Sequence, residues 1–157
     1  MKLSTKGRYA VTALADIALN GGDAPVALAD ISDRQDISVA YLEQLFVKMR
    51  RAGLVESVRG RGGGYKLADE PGETRISDIM AAVDERLNAM GGDQPVSREG
   101  ASKEAVLTEM LWEQLSAHVH VFLNQTTIAD VIEDRMMPCP AVPDFIGVVD
   151  EPEVISP

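Results

Sequence analysis

Between Ser4 and Asn20 the residues Tyr9, Ala10, Ala13, Leu14, Ile17 and Ala18 recur at steps of three and four. That period predicts an amphipathic helix with one buried face. Gly21-Gly22-Asp23-Ala24-Pro25 stops it. Leu28 to Arg34 reads as a short second helix around Ile31, and Asp36-Ile37 is a turn. Ser38 is a good N-cap for a third helix, Val39 to Ala52. Its spacing turns Leu42, Leu45, Phe46 and Met49 inward and leaves Ala40, Tyr41, Glu43, Gln44, Lys48 and Arg51 outward. Gly53 follows, where a left-handed residue can end a helix. Leu54 to Val58 then alternates as a strand, Arg59-Gly60-Arg61-Gly62-Gly63-Gly64 turns, and Tyr65-Lys66-Leu67 returns as a hairpin.

The pattern loosens beyond this point. Ile76 to Glu85 is a further helix with Ile76, Ile79, Met80 and Val83 on one side. Residues 86–103 have no apolar period for most of their length and read as a loop. Glu104 to Leu123 is the longest helix, with a stripe of Leu107, Leu111, Leu115, His118 and Phe122 flanked by Met110 and Val119. That stripe is too long for a small N-terminal core to cover, which predicts a dimer interface. Thr127 caps a short helix, Ile128 to Arg135, and the proline-bearing residues 136–157 read as a flexible tail. The expected fold is mainly α with a small β-wing. A winged helix-turn-helix occupies residues 1–85, a loop 86–103, and a dimerisation helix with the short helix that follows it 104–135.

The net charge of −10 opposes a polyanionic partner, but its distribution does not. Residues 1–66 carry +3 and the rest of the chain −13, so a basic front sits on an acidic body. No run of about 18 apolar residues occurs, so no membrane span is expected. The charged N-terminus is unlike a secretory signal, and the expected location is the cytoplasm. A single cysteine, Cys139, excludes an intrachain disulfide framework and multi-cysteine zinc patterns within one chain.

Three helices followed by a hairpin suit double-stranded DNA. The third helix can enter the major groove, and the wing can reach flanking backbone or minor groove. Gln44 can read adenine by a bidentate pair, Glu43 can accept from the cytosine amine, and Tyr41 can donate to phosphate or pack on a thymine methyl. Arg59 and Arg61 on the wing suit a narrow minor groove, and their glycines permit close approach. Lys6, Arg8, Lys48, Arg50 and Arg51 are candidates for phosphate contact. Singly, each of these residues is as readily a solvated surface side chain, so it is the order of the elements that carries the reading. A protein-interaction module is the rival from another class, because winged helices also serve that purpose. No acid–base dyad, activated nucleophile or phosphate loop is readable, and an enzyme is not expected.

Lys-Gly-Arg-Tyr-Ala at 6–10, Leu-Ala-Asp-Ile-Ser at 28–32, Tyr-Leu-Glu-Gln-Leu-Phe at 41–46 and Gly-Leu-Val at 53–55 closely resemble the IscR family. So does Val-Arg-Gly-Arg-Gly-Gly-Gly-Tyr at 58–65. Members of that family are iron–sulfur cluster regulators with a winged-helix fold. Leu111-Trp112 and Phe122-Leu123-Asn124 extend the resemblance to about residue 135. It implies that Ser38, Tyr41, Glu43 and Gln44 touch DNA from the recognition helix, and Arg59 and Gly60 from the wing. It also implies a homodimer, joined through the helix containing Trp112, on a two-fold DNA site. The regulated genes would serve iron–sulfur cluster assembly or iron homeostasis.

One departure concerns the cofactor. Cluster-bearing relatives usually place three cysteines in the loop that here spans 90–105, then a histidine early in the long helix. This loop has no cysteine, and Glu109 stands at the histidine position. An iron–sulfur cluster would therefore need other ligands, with Cys139, His118, His120 and Glu109 the candidates. His118 and His120 are two apart on a helix and cannot share one metal. His118 lies on the apolar stripe and reads equally as an interface residue; His120 reads equally as solvated. Cys139 in Met-Pro-Cys-Pro can be a cluster ligand, a directly oxidised redox sensor on the same scaffold, or inert.

Overall fold

The stripe of small and apolar residues in the first helix has a structural counterpart in α1, Thr5–Asn20, which buries Gly7, Ala10, Ala13, Leu14, Asp16 and Ile17. The computed structural model describes residues 4–83 and 100–136. In chain order α1 is followed by α2 (Leu28–Gln35), α3 (Val39–Arg51), β1 (Val55–Val58), β2 (Gly64–Leu67), α4 (Ile76–Ala82), α5 (Lys103–Gln125) and α6 (Ile128–Ile132). The architecture is mainly helical with a two-stranded antiparallel wing. None of these helices is long and apolar enough to cross a membrane.

Leu14, Ile31, Leu42, Phe46, Met49, Ile79, Val83 and Ile128 are the largest fully buried side chains, so α1, α2, α3, α4 and α6 share one core. Burial of this apolar surface drives the assembly. Local chemistry sets the boundaries. Asp36 adopts φ 53° at the end of α2 and redirects the chain toward α3. The hydroxyl of Ser38 accepts a hydrogen bond from the Tyr41 amide at 3.3 Å and caps α3. Gly53, at φ 77°, releases the chain from α3 into the wing.

The wing pairs Val55 with Leu67 and Val58 with Gly64. Val26, on the approach to α2, exchanges two backbone hydrogen bonds of 2.8 Å with Tyr65. The hairpin is thus pinned to the helix-turn-helix. A Cβ at Gly64 would lie 2.3 Å from the Val26 carbonyl oxygen, so only glycine permits this approach. Phe46 and Tyr65 close the seam with ring centroids 4.7 Å apart.

Two expectations need correction. Tyr9 was expected in the buried stripe of the first helix, but it stands at the edge of that face and is 36% exposed. The short last helix, α6, packs on α1, and Ile128 is fully buried in the N-terminal core. A capping box formed by Thr127 and Asp130 starts α6. Backbone bonds of 2.9 Å from Ile76 to Thr126 and from Ile128 to Thr74 stitch it beside α4. It ends at Ile132 and not Arg135, because Asp134 turns to φ 52°.

The long helix behaves differently. None of the 23 residues of α5 is buried. It rests on α4, where Arg75 Nη1 donates to Asn124 Oδ1 at 3.2 Å and Asn124 Nδ2 donates to Ser77 Oγ at 3.4 Å. Leu107, Leu111, Trp112, Leu115 and Phe122 are all exposed.

Candidate nucleic-acid interface

The residues expected to meet DNA lie on three parts of the body. On α3, Glu43 and Gln44 are exposed and Tyr41 is half-buried, while Leu42, Leu45, Phe46 and Met49 anchor the opposite face. A groove-reading helix needs this division: an immobile apolar side and a free polar one. Ser38 is exposed as a residue, but its hydroxyl is engaged in capping. Lys48 is half-buried, and Arg51 is exposed at the end of the helix. Arg50 reaches the wing, where its Nη1 lies 3.5 Å from Ser57 Oγ. That contact ties recognition helix to hairpin.

The wing tip carries Arg59, Gly60 and Arg61, all exposed. Gly60 takes φ 102°, which turns the chain sharply between the two arginines. Among the described residues neither Arg59 nor Arg61 forms an ion pair, so both guanidinium groups are available to an outside anion. At the base of the hairpin Lys66 pairs with Glu56 across the strands at 3.4 Å, a contact of little energetic weight at the surface. Lys6 and Arg8 are exposed in the first turn of α1. The expected residues thus lie exposed or half-buried on the first turn of α1, along α3 and on the wing.

Two contributions escaped the sequence reading. The first is Tyr9, whose ring meets that of Tyr41 edge-on, with centroids 5.7 Å apart and planes at 88°. The second is a polar lock under the helix-turn-helix. Arg34 donates to Asp16 through Nε at 3.0 Å and Nη2 at 2.6 Å, and Gln35 Nε2 adds a third bond at 2.7 Å. The Asp16 side chain is wholly buried, whereas that of Arg34 is 39% exposed. Burial pushes the Asp16 carboxyl up, but the hydrogen bonds from Arg34 and Gln35 outweigh it and hold the group below the usual aspartate range. The bidentate pair fixes α2 to α1 and so sets where α3 begins. A signal for it existed: Asp16 lies one turn after Ala13 and two after Tyr9, at the edge of the apolar stripe, where a buried carboxylate demands a partner.

The candidate metal ligands are not brought together. Glu109, His118 and His120 form no metal-binding group with one another, and no cluster of three His, Cys, Asp or Glu side chains suited to a metal occurs among the described residues. His118 is exposed and its Nδ1 is 2.8 Å from the carbonyl oxygen of Gln114; His120 is exposed as well. Cys139, the 84–99 segment and the tail lie outside the described residues.

Comparison with known proteins follows the same geometry. Residues 3–134 match the sequence profile of the Rrf2 family, described as an iron-dependent transcriptional regulator. The chain is 59% identical over 157 residues to the HTH-type transcriptional regulator IscR of Cereibacter sphaeroides, a match covering 96% of this chain and 99% of that protein. Among solved structures, CymR, the global cysteine regulator of B. subtilis, superposes with a TM-score of 0.71 at 34% identity, over 85% of this chain and 98% of that one. The IscR of T. potens does so with a TM-score of 0.68 at 38% identity, over 86% and 88%. With helix-turn-helix, wing and free arginines in place, the chain belongs to the Rrf2 family and is an IscR-type DNA-binding transcriptional regulator, not an enzyme.

Proposed function

We propose that the protein acts as a homodimer on a two-fold DNA site and controls genes of iron–sulfur cluster assembly or iron homeostasis. The observation that carries the DNA contact is the pair of unpaired arginines on the wing beside the exposed face of α3. In this reading Gln44 and Glu43 meet base edges, with Tyr41 and Ser38 at the entrance of the helix. Arg59, Gly60 and Arg61 reach the flanking groove, and Lys6, Arg8, Lys48 and Arg50 hold phosphates. The exposed face of α5, with Leu107, Leu111, Trp112, Leu115 and Phe122, joins the two copies. Removing the guanidinium in Arg59→Ala should weaken operator binding by about 1–3 kcal/mol and lower the salt slope by about one. Fluorescence anisotropy across a salt series measures both, and unchanged affinity with an unchanged slope removes Arg59 from the interface.

An iron–sulfur cluster is part of this reading as the signal that alters DNA affinity. Its support is the iron-dependent family and the 59% identical IscR relative. Glu109, His118 and His120 do not supply a ligand set, so a cluster on this chain would take its thiolate from Cys139, one per subunit. Cys139→Ala purified without oxygen should lose iron, sulfide and visible absorbance and still dimerise; full cluster content would remove Cys139 as a ligand. The likeness to Staphylococcus aureus CymR, which has been solved in an oxidized form, favours a second reading in which the Cys139 thiol is itself oxidised. In that case the anaerobic protein holds no iron, and oxidant alone changes DNA affinity.

A further inference from the structure

The edge-on contact of Tyr9 and Tyr41 joins α1 to the first turn of the recognition helix. Tyr9 stands toward the outside of α1 with Thr5 and Thr12, four residues before it and three after it, and with its neighbour Arg8. This face is polar and lies outside the core, since Thr5 and Arg8 are exposed and Tyr9 is 36% exposed. A large aromatic ring there is not accounted for by burial. The ring of Tyr9 instead packs against one that stands at the entrance of α3, at 5.7 Å and 88°. Neither phenolic hydroxyl has a hydrogen-bond partner among the described residues, so the rings touch without engaging their polar ends.

We propose that Tyr9 is a positioning residue for DNA recognition, holding the Tyr41 ring at the mouth of α3 before DNA arrives. The inference rests on the reading that Tyr41 touches DNA. An aromatic side chain at a helix entrance has several rotamers open to it, and ordering one of them on binding costs free energy. An edge-to-face partner selects one in advance, because the positive rim of one ring meets the negative face of the other. Ser38 caps the backbone of the same turn through the Tyr41 amide, so main chain and side chain of Tyr41 are each held by a different neighbour. Sequence-specific affinity would thus depend on a residue of α1 that reads no base.

The test uses the full-length dimer and a duplex selected by the unmodified protein from random sequence. Tyr9→Ala should weaken binding about two- to tenfold, the range of one aromatic pair. Tyr9→Phe, which keeps the ring, should stay within about twofold. The slope of log affinity against log salt should not change in either. The loss caused by Tyr9→Ala should vanish when Tyr41→Ala is already present, because nothing is left to position. Tyr9→Leu keeps bulk without the aromatic quadrupole, folds if Tyr9→Ala does not, and should lose affinity as the alanine variant would. A Tyr9→Phe loss equal to that of Tyr9→Ala would mean that the phenolic hydroxyl itself touches DNA and overturn the proposal; a slope lowered by about one would mean that a neighbouring cation had lost its phosphate, and would overturn it as well. Additive losses at Tyr9 and Tyr41 would overturn it too. If Tyr41→Ala alone binds normally, the DNA-contact reading of Tyr41 fails and takes this proposal with it. If Tyr41→Ala weakens binding and Tyr9→Ala does not, this proposal alone fails.

Discussion

Helices α3 and α5 are both amphipathic, but they stand in opposite relations to the body. Recognition helix α3 buries Leu42, Leu45, Phe46 and Met49 and leaves its polar face outside. Helix α5 buries nothing and leaves Leu111 57% and Leu107 55% exposed. For α3 the body has already satisfied the apolar face, and the outward side chains are suited to hydrogen bonding and charge. For α5 the apolar stripe itself is outward, in a patch larger than scattered surface hydrophobes make. An exposed helix face thus specifies the chemistry of what must cover it: under our proposal, a polar, anionic duplex over α3 and a second copy of the chain over α5.

The sharpest way to break this contrast is at Leu115. Leu115→Asp would bury an unpaired carboxylate in a helix–helix seam, at a cost of several kcal/mol. The dimer dissociation constant should rise at least about a hundredfold. Sedimentation equilibrium at micromolar concentration should find monomers whose helical circular dichroism is retained. A dimer of unchanged affinity would place the interface elsewhere. Next in size is the lock beneath α3, which α5 lacks. Asp16→Asn removes the charge from three hydrogen bonds and should lower stability by about 1–3 kcal/mol, toward the low end because Arg34 reaches water.

This variant also carries a pH signature. The folded-state pKa of Asp16 is depressed, so its contribution is fully present above the unfolded value of about 3.9. It is lost as pH falls through the lower folded value. Urea unfolding between pH 7 and pH 3 should therefore destabilise the unmodified protein in acid more than Asp16→Asn. Equal acid sensitivity would mean that the pair does not titrate as described. The smallest effect on affinity belongs to Glu43 on the face of α3. A carboxylate facing DNA is repelled by phosphates and gains where a cytosine amine is offered. Glu43→Ala should keep or modestly raise affinity for relaxed sites and lose about 1–3 kcal/mol of discrimination at one base pair. Selection from a randomised operator measures this, and a uniform loss on all sequences would contradict it.

Much of the architecture was legible because its causes are local. The period of α1 and α3, the serine cap at position 38 and the glycines around the wing announce helix, start and turn without reference to the rest of the chain. What escaped was long-range. The apolar stripe of α1 could not say that Tyr9 turns to Tyr41, 32 residues away, because aromatic residues serve core and surface alike. The partners of Asp16 lie 18 and 19 residues on, in a helix whose placement depends on them. Gly64 reads as a flexible tip, whereas its need is set by the backbone of Val26 pressing against it. The candidate ligands were visible by type, but ligation is a matter of convergence, and Glu109, His118 and His120 do not converge.

The return of α6 to α1 changes how the body comes to exist. Ile128 fills part of a core that otherwise ends at Val83, so the DNA-binding unit is not continuous in the chain. On the ribosome, α1, α2, α3 and the wing emerge first, with a gap where Ile128 will sit. The whole of α5, with its uncovered apolar stripe, must then be made before that gap can close. Contacts spanning more than a hundred residues form late, because a long loop must first be drawn together. The nascent protein thus carries the uncovered apolar stripe of α5 into solution before the body that supports α3 has its last core residue.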